Sequence, residues 1–335
     1  MNSNEQKPEP FLLRPAGKDY LWGGTRLKTE FGKNLPMEPL AETWECSTHP
    51  DGPSVAASGV FCGMELSDIL RQHPEYVGEH AAKLANRIGA QGLPILVKFI
   101  DASSNLSIQV HPDDEYALRN ENQPGKTEMW YVLDAGPDAE MIYGFRQPME
   151  KESVRRAVID GSVIKYLNKI KIHKDEVYYI QSGRVHAIGA GSLIVEIQEN
   201  SNLTYRLYDY ERTGKKGEKR KLNIEQSLEV MCFDKEERPK QPLRVLRYRK
   251  GIATELLCNC SFFRVVRILL KNEDCPYIFH TGDLSFEVLL CLGGYGTLNT
   301  SGNCIKINKG NCIFIPAGSG EYKISGCAQF LKVNS

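Results

Sequence analysis

Gln109 and His111 stand two residues apart in the segment Ser107-Ile-Gln-Val-His111. On an extended strand, residues i and i+2 project from the same face, so this amide and imidazole can meet one ion. Two more ligand types follow. Glu128 closes Gly125-Lys-Thr-Glu128 and is expected on an adjacent strand, and His186 comes just after the turn Gln181-Ser-Gly-Arg184. Imidazole and carboxylate suit zinc, and a side-chain amide oxygen is an uncommon but workable fourth ligand. With a single charged ligand, the ion keeps most of its Lewis acidity. The other histidines read as hydrogen-bonded core or surface residues: His49, His73 and His173 beside turns or helix ends, His80 on a helix face, and His280 before the turn Thr281-Gly-Asp283.

Two cations and a hydroxyl flank these positions in sequence. Lys98 lies in the apolar run Leu93-Pro-Ile-Leu-Val-Lys98. A bare ammonium there is costly unless it faces a cavity and meets an anion, such as a phosphate. Ser107 shares the face of Gln109, two residues away, and can donate to the same anion. Arg206 offers a planar donor set suited to phosphate or enediolate oxygens, and the competing reading pairs it with Asp209 or Glu211. Trp130 reads as core packing, and the tyrosines at 178, 179, 205, 208 and 210 read as ordinary strand residues without a catalytic role.

The elements that must position these residues are mostly short strands separated by Gly, Pro and Asp. Alternation marks Ser107 to His111, Met129 to Leu133, Val177 to Ile180 and Ser192 to Ile197. Helical spacing marks Leu66 to Arg87, Val154 to Ile159 after Ser153, and Ile224 to Cys232, with Asn223 placed to cap the last. The charged segment from Glu211 to Lys221 reads as an exposed loop whose positive charge could attract a phosphate, with a solvated loop the favoured reading, and the stretch from Phe233 to Arg249 reads as a connection to a second lobe. An internal repeat supports two lobes: Lys174 to His186 matches Lys309 to Glu321 without a gap, and Glu128 to Leu133 matches Glu287 to Leu292. The second copy carries Glu321 where the first has His186, which predicts one working site and one structural copy. The boundaries expected are 1–240 for the catalytic lobe, with amino-terminal strands and helical insertions, and 251–335 for a lobe without metal ligands.

Bulk properties exclude several function classes. Lys plus Arg and Asp plus Glu balance at 42 each over 335 residues, which removes the electrostatic reason to expect nucleic acid or an anionic membrane as partner. The polar start, residues 1–11, lacks the pattern of a secretory signal, and no stretch approaches the roughly 18 apolar residues of a membrane span. A cytoplasmic protein is expected. The ten cysteines are scattered, mostly inside apolar runs such as Val288 to Leu292, and read as reduced, buried thiols. Cys258 and Cys260 are too closely spaced for the usual cysteine zinc site.

Several motifs together resemble the type I mannose-6-phosphate isomerases (phosphomannose isomerases) of the short bacterial form, within the cupin superfamily. They are Leu93 to Lys98, Leu106-Ser-Ile-Gln-Val-His-Pro-Asp-Asp114, Gly125-Lys-Thr-Glu128, His186-Ala187 and Thr204-Tyr-Arg-Leu-Tyr-Asp209, preceded by Trp22-Gly-Gly24 and Ala41-Glu-Thr-Trp44. The likeness runs from about Phe11 to Tyr210 and thins beyond. The resemblance implies a mainly β fold of two cupin-type β-barrel (jelly-roll) lobes with a few peripheral helices. It implies that Gln109, His111, Glu128 and His186 hold one Zn2+ per chain, and that Lys98, Ser107, Lys126, Glu196 and Arg206 line a sugar-phosphate pocket. The activity implied is aldose-ketose interconversion of mannose 6-phosphate and fructose 6-phosphate through an enediol(ate), in a monomer or homodimer. The chain departs from the longer enzymes of that family in lacking their large helical insertion.

Elementary chemistry supports those roles. A proton must leave the carbon beside a carbonyl, and a cation near the enediolate oxygen lowers that barrier. Glu196 and Lys126 are the candidates for moving protons. Two other readings compete: an iron-dependent cupin oxygenase, which Gln109 disfavours because an amide does little to tune iron, and a non-catalytic sugar-binding cupin, which would have lost ligands or cations that are all present here.

Overall fold

The computed structural model describes residues 7–214, 217–273 and 275–335. Residues 1–6 of the polar amino terminus and positions 215 and 216 of the charged loop lie outside the described residues.

The chain is mainly β, with three antiparallel sheets and short helices at the periphery. A six-stranded sheet runs in the order Val177–Ile180, Glu128–Ala135, Ser192–Glu199, Ile95–Ala102, Glu42–Cys46 and Ala16–Lys18. It lies in the middle of the molecule. One face, with Trp130, Val132, Ile100 and Ile194, packs on Met141, Tyr143 and Ile188 of a five-stranded sheet. The other face, with Val97, Phe99, Met129 and Val195, packs on Val265, Val288, Leu290 and Val333 of a ten-stranded sheet. Burial on both sides explains why Ile95–Ala102 and Ser192–Glu199 are buried along their whole length rather than alternately.

The five-stranded sheet has the order Tyr205–Tyr208, Ile108–Val110, His186–Ile188, Glu140–Phe145, Leu167–Lys171. Its outer face is covered by the helices Lys151–Ile159 and Ile224–Val230 through Val154, Val158 and Leu228. The ten-stranded sheet curls so that its remaining face buries Ile268, Leu289, Ile305, Ile313 and Phe330 against each other. Both chain ends build it, since Phe11–Leu13 pair with Phe314–Cys312.

The internal repeat is realised as one strand pairing used twice. Glu128 lies opposite Ile180, and Glu287 lies opposite Ile315. Helix expectations needed three adjustments. The stretch from Leu66 is split into Leu66–Gln72, the 3-10 turn Pro74–Val77 and Glu79–Ile88, because Pro74 has no N–H to continue the first helix. Asp114–Glu121, capped by Asp113 accepting from the Tyr116 N–H at 2.9 Å, was not foreseen. Asn223 makes no side-chain cap, and its Oδ1 instead accepts from the Arg206 N–H at 3.2 Å. All ten cysteines are free, yet Cys62, Cys232, Cys275 and Cys304 are exposed, which corrects the expectation of buried thiols. No helix among the described residues is long and apolar enough to cross a membrane.

Candidate metal centre

His111, Glu128 and His186 converge between the five- and six-stranded sheets, all buried, with one ligand atom each inside a span of 4.8 Å. Gln109 and His186 are directly opposed across paired strands. Glu128 arrives from the facing sheet rather than from an adjacent strand, because its pairing partners are Ile180 and Gln198. Glu128 Oε1 is 3.4 Å from His186 Nε2, and Oε2 is 3.6 Å from His111 Nε2. Four ligands at about 2.0–2.1 Å from a tetrahedral zinc lie roughly 3.3–3.4 Å apart, so these separations fit a shared ion.

Each imidazole is oriented from behind. His111 Nδ1 contacts the Leu203 carbonyl at 2.9 Å and His186 Nδ1 the Arg184 carbonyl at 2.8 Å. Donation from Nδ1–H leaves the Nε2 lone pair aimed at the centre. Burial, with Lys126 nearby, depresses both pKa values, His111 well below the ordinary range and His186 to about 4. Both rings are therefore neutral, as ligands must be. Glu128 Oε1 is buried without a hydrogen-bond partner, an orphan that an ion would satisfy. Gln109 Nε2 is 3.4 Å from His186 Nε2, and a half-turn of the amide places Oε1 at that position. Two glycines make this approach possible. A Cβ on Gly125 would sit 2.6 Å from the Asp114 backbone nitrogen, and Gly183, in the turn before His186, has φ +84°.

A cavity of about 230 Å³ adjoins the centre at Gln109 and Lys126, and its lining also includes Lys98, Ser107, Glu196 and Arg206, the residues expected at a sugar-phosphate pocket, together with Tyr20, Glu42 and Arg220. Two larger clefts, of about 720 and 890 Å³, lie along the helices Leu66–Gln72 and Glu79–Ile88, away from these groups. Lys98 Nζ is 3.2 Å from Glu196 Oε1 and 3.8 Å from Glu42 Oε2. Burial opposes its charge, but Glu196 and Glu42 outweigh burial and raise the Lys98 pKa. Burial likewise works to raise Glu196, while Lys126, Lys98 and the Trp130 indole N–H, 2.9 Å from Oε2, prevail and hold it below the ordinary carboxylate range. Glu128 is pushed up to about 7 by burial and by Glu196, against Lys126 at 2.9 Å. Arg206 donates from Nε to Ser107 Oγ at 3.3 Å.

Comparison with known proteins agrees with this geometry. The family model for the phosphomannose isomerase type I catalytic domain matches residues 11–138, and that for the mannose-6-phosphate isomerase cupin domain matches residues 255–335. The chain is 33% identical to the mannose-6-phosphate isomerase of Streptococcus mutans, covering 98% of both proteins. It belongs to the mannose-6-phosphate isomerase family. The mannose-6-phosphate isomerase ManA of Bacillus subtilis is 34% identical over 96% of this chain and 97% of that protein. A solved structure of the Bacillus subtilis mannose 6-phosphate isomerase superposes with a TM-score of 0.86 at 30% identity, covering 97% of this chain and 99% of that one.

Within this family fold, sequence reasoning missed three groups. Trp130 packs in the core as expected, but its N–H also fixes Glu196. Glu42, buried and bonded to Trp44 Nε1 at 2.8 Å, is a third carboxylate around the two lysines. Arg220 reaches the cavity from the charged loop. The Glu42 signal was available, since it alternates with Trp44 on one strand face; nothing in the sequence spacing announced Arg220. In the second lobe, Glu287 is held by Thr281 at 3.0 Å, Tyr322 at 2.7 Å and Lys332 at 2.6 Å, and His280 points outward.

Proposed function

We propose that this chain interconverts mannose 6-phosphate and fructose 6-phosphate in the cytosol, using one Zn2+ held by Gln109, His111, Glu128 and His186. The observation that carries the reading is the orphaned Glu128 Oε1, 3.4 Å from His186 Nε2, on a carboxylate whose Oε2 lies 3.6 Å from His111 Nε2, with the opposite nitrogen of each imidazole tied to a carbonyl. When bound, the ion supplies positive charge to the oxygens of the reacting carbons and favours an enediol(ate). Glu196, ionised and immobilised by Lys98 and Trp130, carries the proton between the two carbons. Lys126, 3.8 Å from Glu196 and 2.9 Å from Glu128, moves protons between oxygens. Lys98 orients Glu196 and the sugar hydroxyls. Its charge is already matched by two carboxylates, so Ser107 and Arg206 are better placed to take the phosphate. Catalysis is assigned to residues 1–240 and a supporting role to 251–335.

The test is incubation with mannose 6-phosphate in D2O, following fructose 6-phosphate formation and deuterium at the reacting carbons. Turnover with deuterium incorporation supports the reading. Absence of turnover in zinc-loaded protein defeats it. Iron rather than zinc in protein purified without added metal would favour the oxygenase.

A further inference from the structure

The charged segment 211–221 is not merely a solvated excursion. Its described residues on either side of positions 215 and 216 run back alongside each other, with Gly214 N–H donating to the Glu218 carbonyl at 2.7 Å and Thr213 bridged to Lys219. Its exit is pinned where Asn223 N–H donates to the Arg206 carbonyl at 2.7 Å. The return leg delivers Arg220 to the wall of the cavity that holds Gln109, Lys126 and Glu196.

Asp209 fixes the guanidinium there. Arg220 Nε donates to Asp209 Oδ2 at 2.8 Å while a terminal nitrogen donates to Oδ1. Arg212 donates to the same carboxylate and to the Asn105 carbonyl. Arg206 is left out of that ion pair: its donors go to Ser107 Oγ at 3.3 Å and the Lys221 carbonyl at 3.1 Å. Among the described residues, three guanidiniums thus gather near one carboxylate that pairs directly with only Arg212 and Arg220, and two of the three, Arg206 and Arg220, line the cavity. Deeper in, the charges of Lys98 and Lys126 are matched by Glu42, Glu128 and Glu196. Among the described residues lining the cavity, the positive excess therefore sits at the Arg206 and Arg220 side. An anion relieves such an excess, and planar guanidinium forks suit the oxygens of a phosphate dianion.

We infer that Arg220, posted by Asp209, contacts the substrate phosphate and, with Arg206 and Ser107, selects a phosphorylated sugar over a free one. The inference rests on the isomerase reading above. Burial, followed by repulsion from Arg220, lowers the Arg206 pKa, which agrees with two cations facing one cavity. Asp209 is a positioning residue, since it acts through Arg220.

The experiment measures binding of mannitol 6-phosphate, which has no carbonyl to isomerise, and of mannitol to the zinc-loaded full chain by calorimetry. Arg220→Met is expected to weaken mannitol 6-phosphate binding by about 10- to 100-fold, the scale of a lost charge-assisted contact, and to shrink the preference for the phosphorylated ligand by the same factor. Asp209→Asn should raise KM for mannose 6-phosphate far more than it lowers kcat, and Arg220→Lys should recover part of the loss. If Arg220→Met loses its cooperative unfolding transition, Arg220→Gln, which keeps a donor for Asp209, carries the same prediction. Affinity within twofold of wild type, or equal weakening of both ligands, overturns the inference. A wild-type protein that fails to isomerise mannose 6-phosphate overturns instead the reading on which it rests.

Discussion

Glu196 is a carboxylate that burial alone would neutralise, and two ammonium groups and an indole N–H keep it charged. The proposed role of Glu196 as base requires the unprotonated carboxylate, so on that proposal this electrostatic frame sets the pH range of catalysis. Because its folded-state pKa is depressed, Glu196 stays ionised at neutral pH and takes up a proton only as pH falls through that lowered value. The acidic limb of kcat/KM is therefore expected below the ordinary glutamate range, and Glu196→Gln should lower kcat by about 10²- to 10⁴-fold with zinc content unchanged; loss of zinc in that variant would instead make Glu196 part of the ion's support. Trp130→Phe keeps the ring and removes only the N–H. We expect kcat to drop about tenfold with little change in KM and an acidic limb displaced upward, since one stabilising donor to the anion is gone; an unchanged pH profile would contradict the positioning role.

At the scale of elements, the metal centre depends on two backbone segments meeting closely. The segment before Glu128 passes within contact of the turn leading into the helix Asp114–Glu121, and only glycine at 125 permits it. Gly125→Ala should displace the Lys126 to Glu128 segment, lower zinc affinity on the order of 10- to 100-fold, as perturbed ligand support does, and leave the far lobe intact; zinc affinity equal to wild type would show the neighbour yields instead. The candidate ligands were legible as a set because period-two spacing puts Gln109 and His111 on one face, and because a repeat singles out His186 by its replacement with Glu321. What escaped was relative placement. Glu128 faces its partners from another sheet, and a sequence pattern reports which face a residue occupies, not which sheet lies opposite. Arg220 escaped because a charged loop carries no apolar periodicity to say which of its cations turns inward, and Asn223 escaped as a strand tie because its helix-capping signature is the same on paper.

Across the whole molecule, the second lobe repeats the strand pairing of the first without its chemistry. Glu287 occupies the place of Glu128, yet it meets Thr281, Tyr322 and Lys332 rather than imidazoles. We expect Glu287→Gln to cost about 1.5–3 kcal/mol of stability, the usual scale for losing hydrogen bonds to a buried charge, while kcat per folded molecule and bound zinc stay as in wild type; denaturant titration alongside the activity assay checks both. The fold class was readable from strand texture and repeat, but the joining of Phe11–Leu13 to the far sheet was not, since so short an apolar run pairs equally well with any exposed edge. The most direct measurement is reconstitution: chelator-stripped protein is titrated with Zn2+ while conversion of mannose 6-phosphate to fructose 6-phosphate is followed. The rate should rise in proportion to bound zinc and level off at one ion per chain, with no such rise in His186→Ala. Full turnover in metal-free protein, or a stoichiometric zinc response in His186→Ala, would contradict the site.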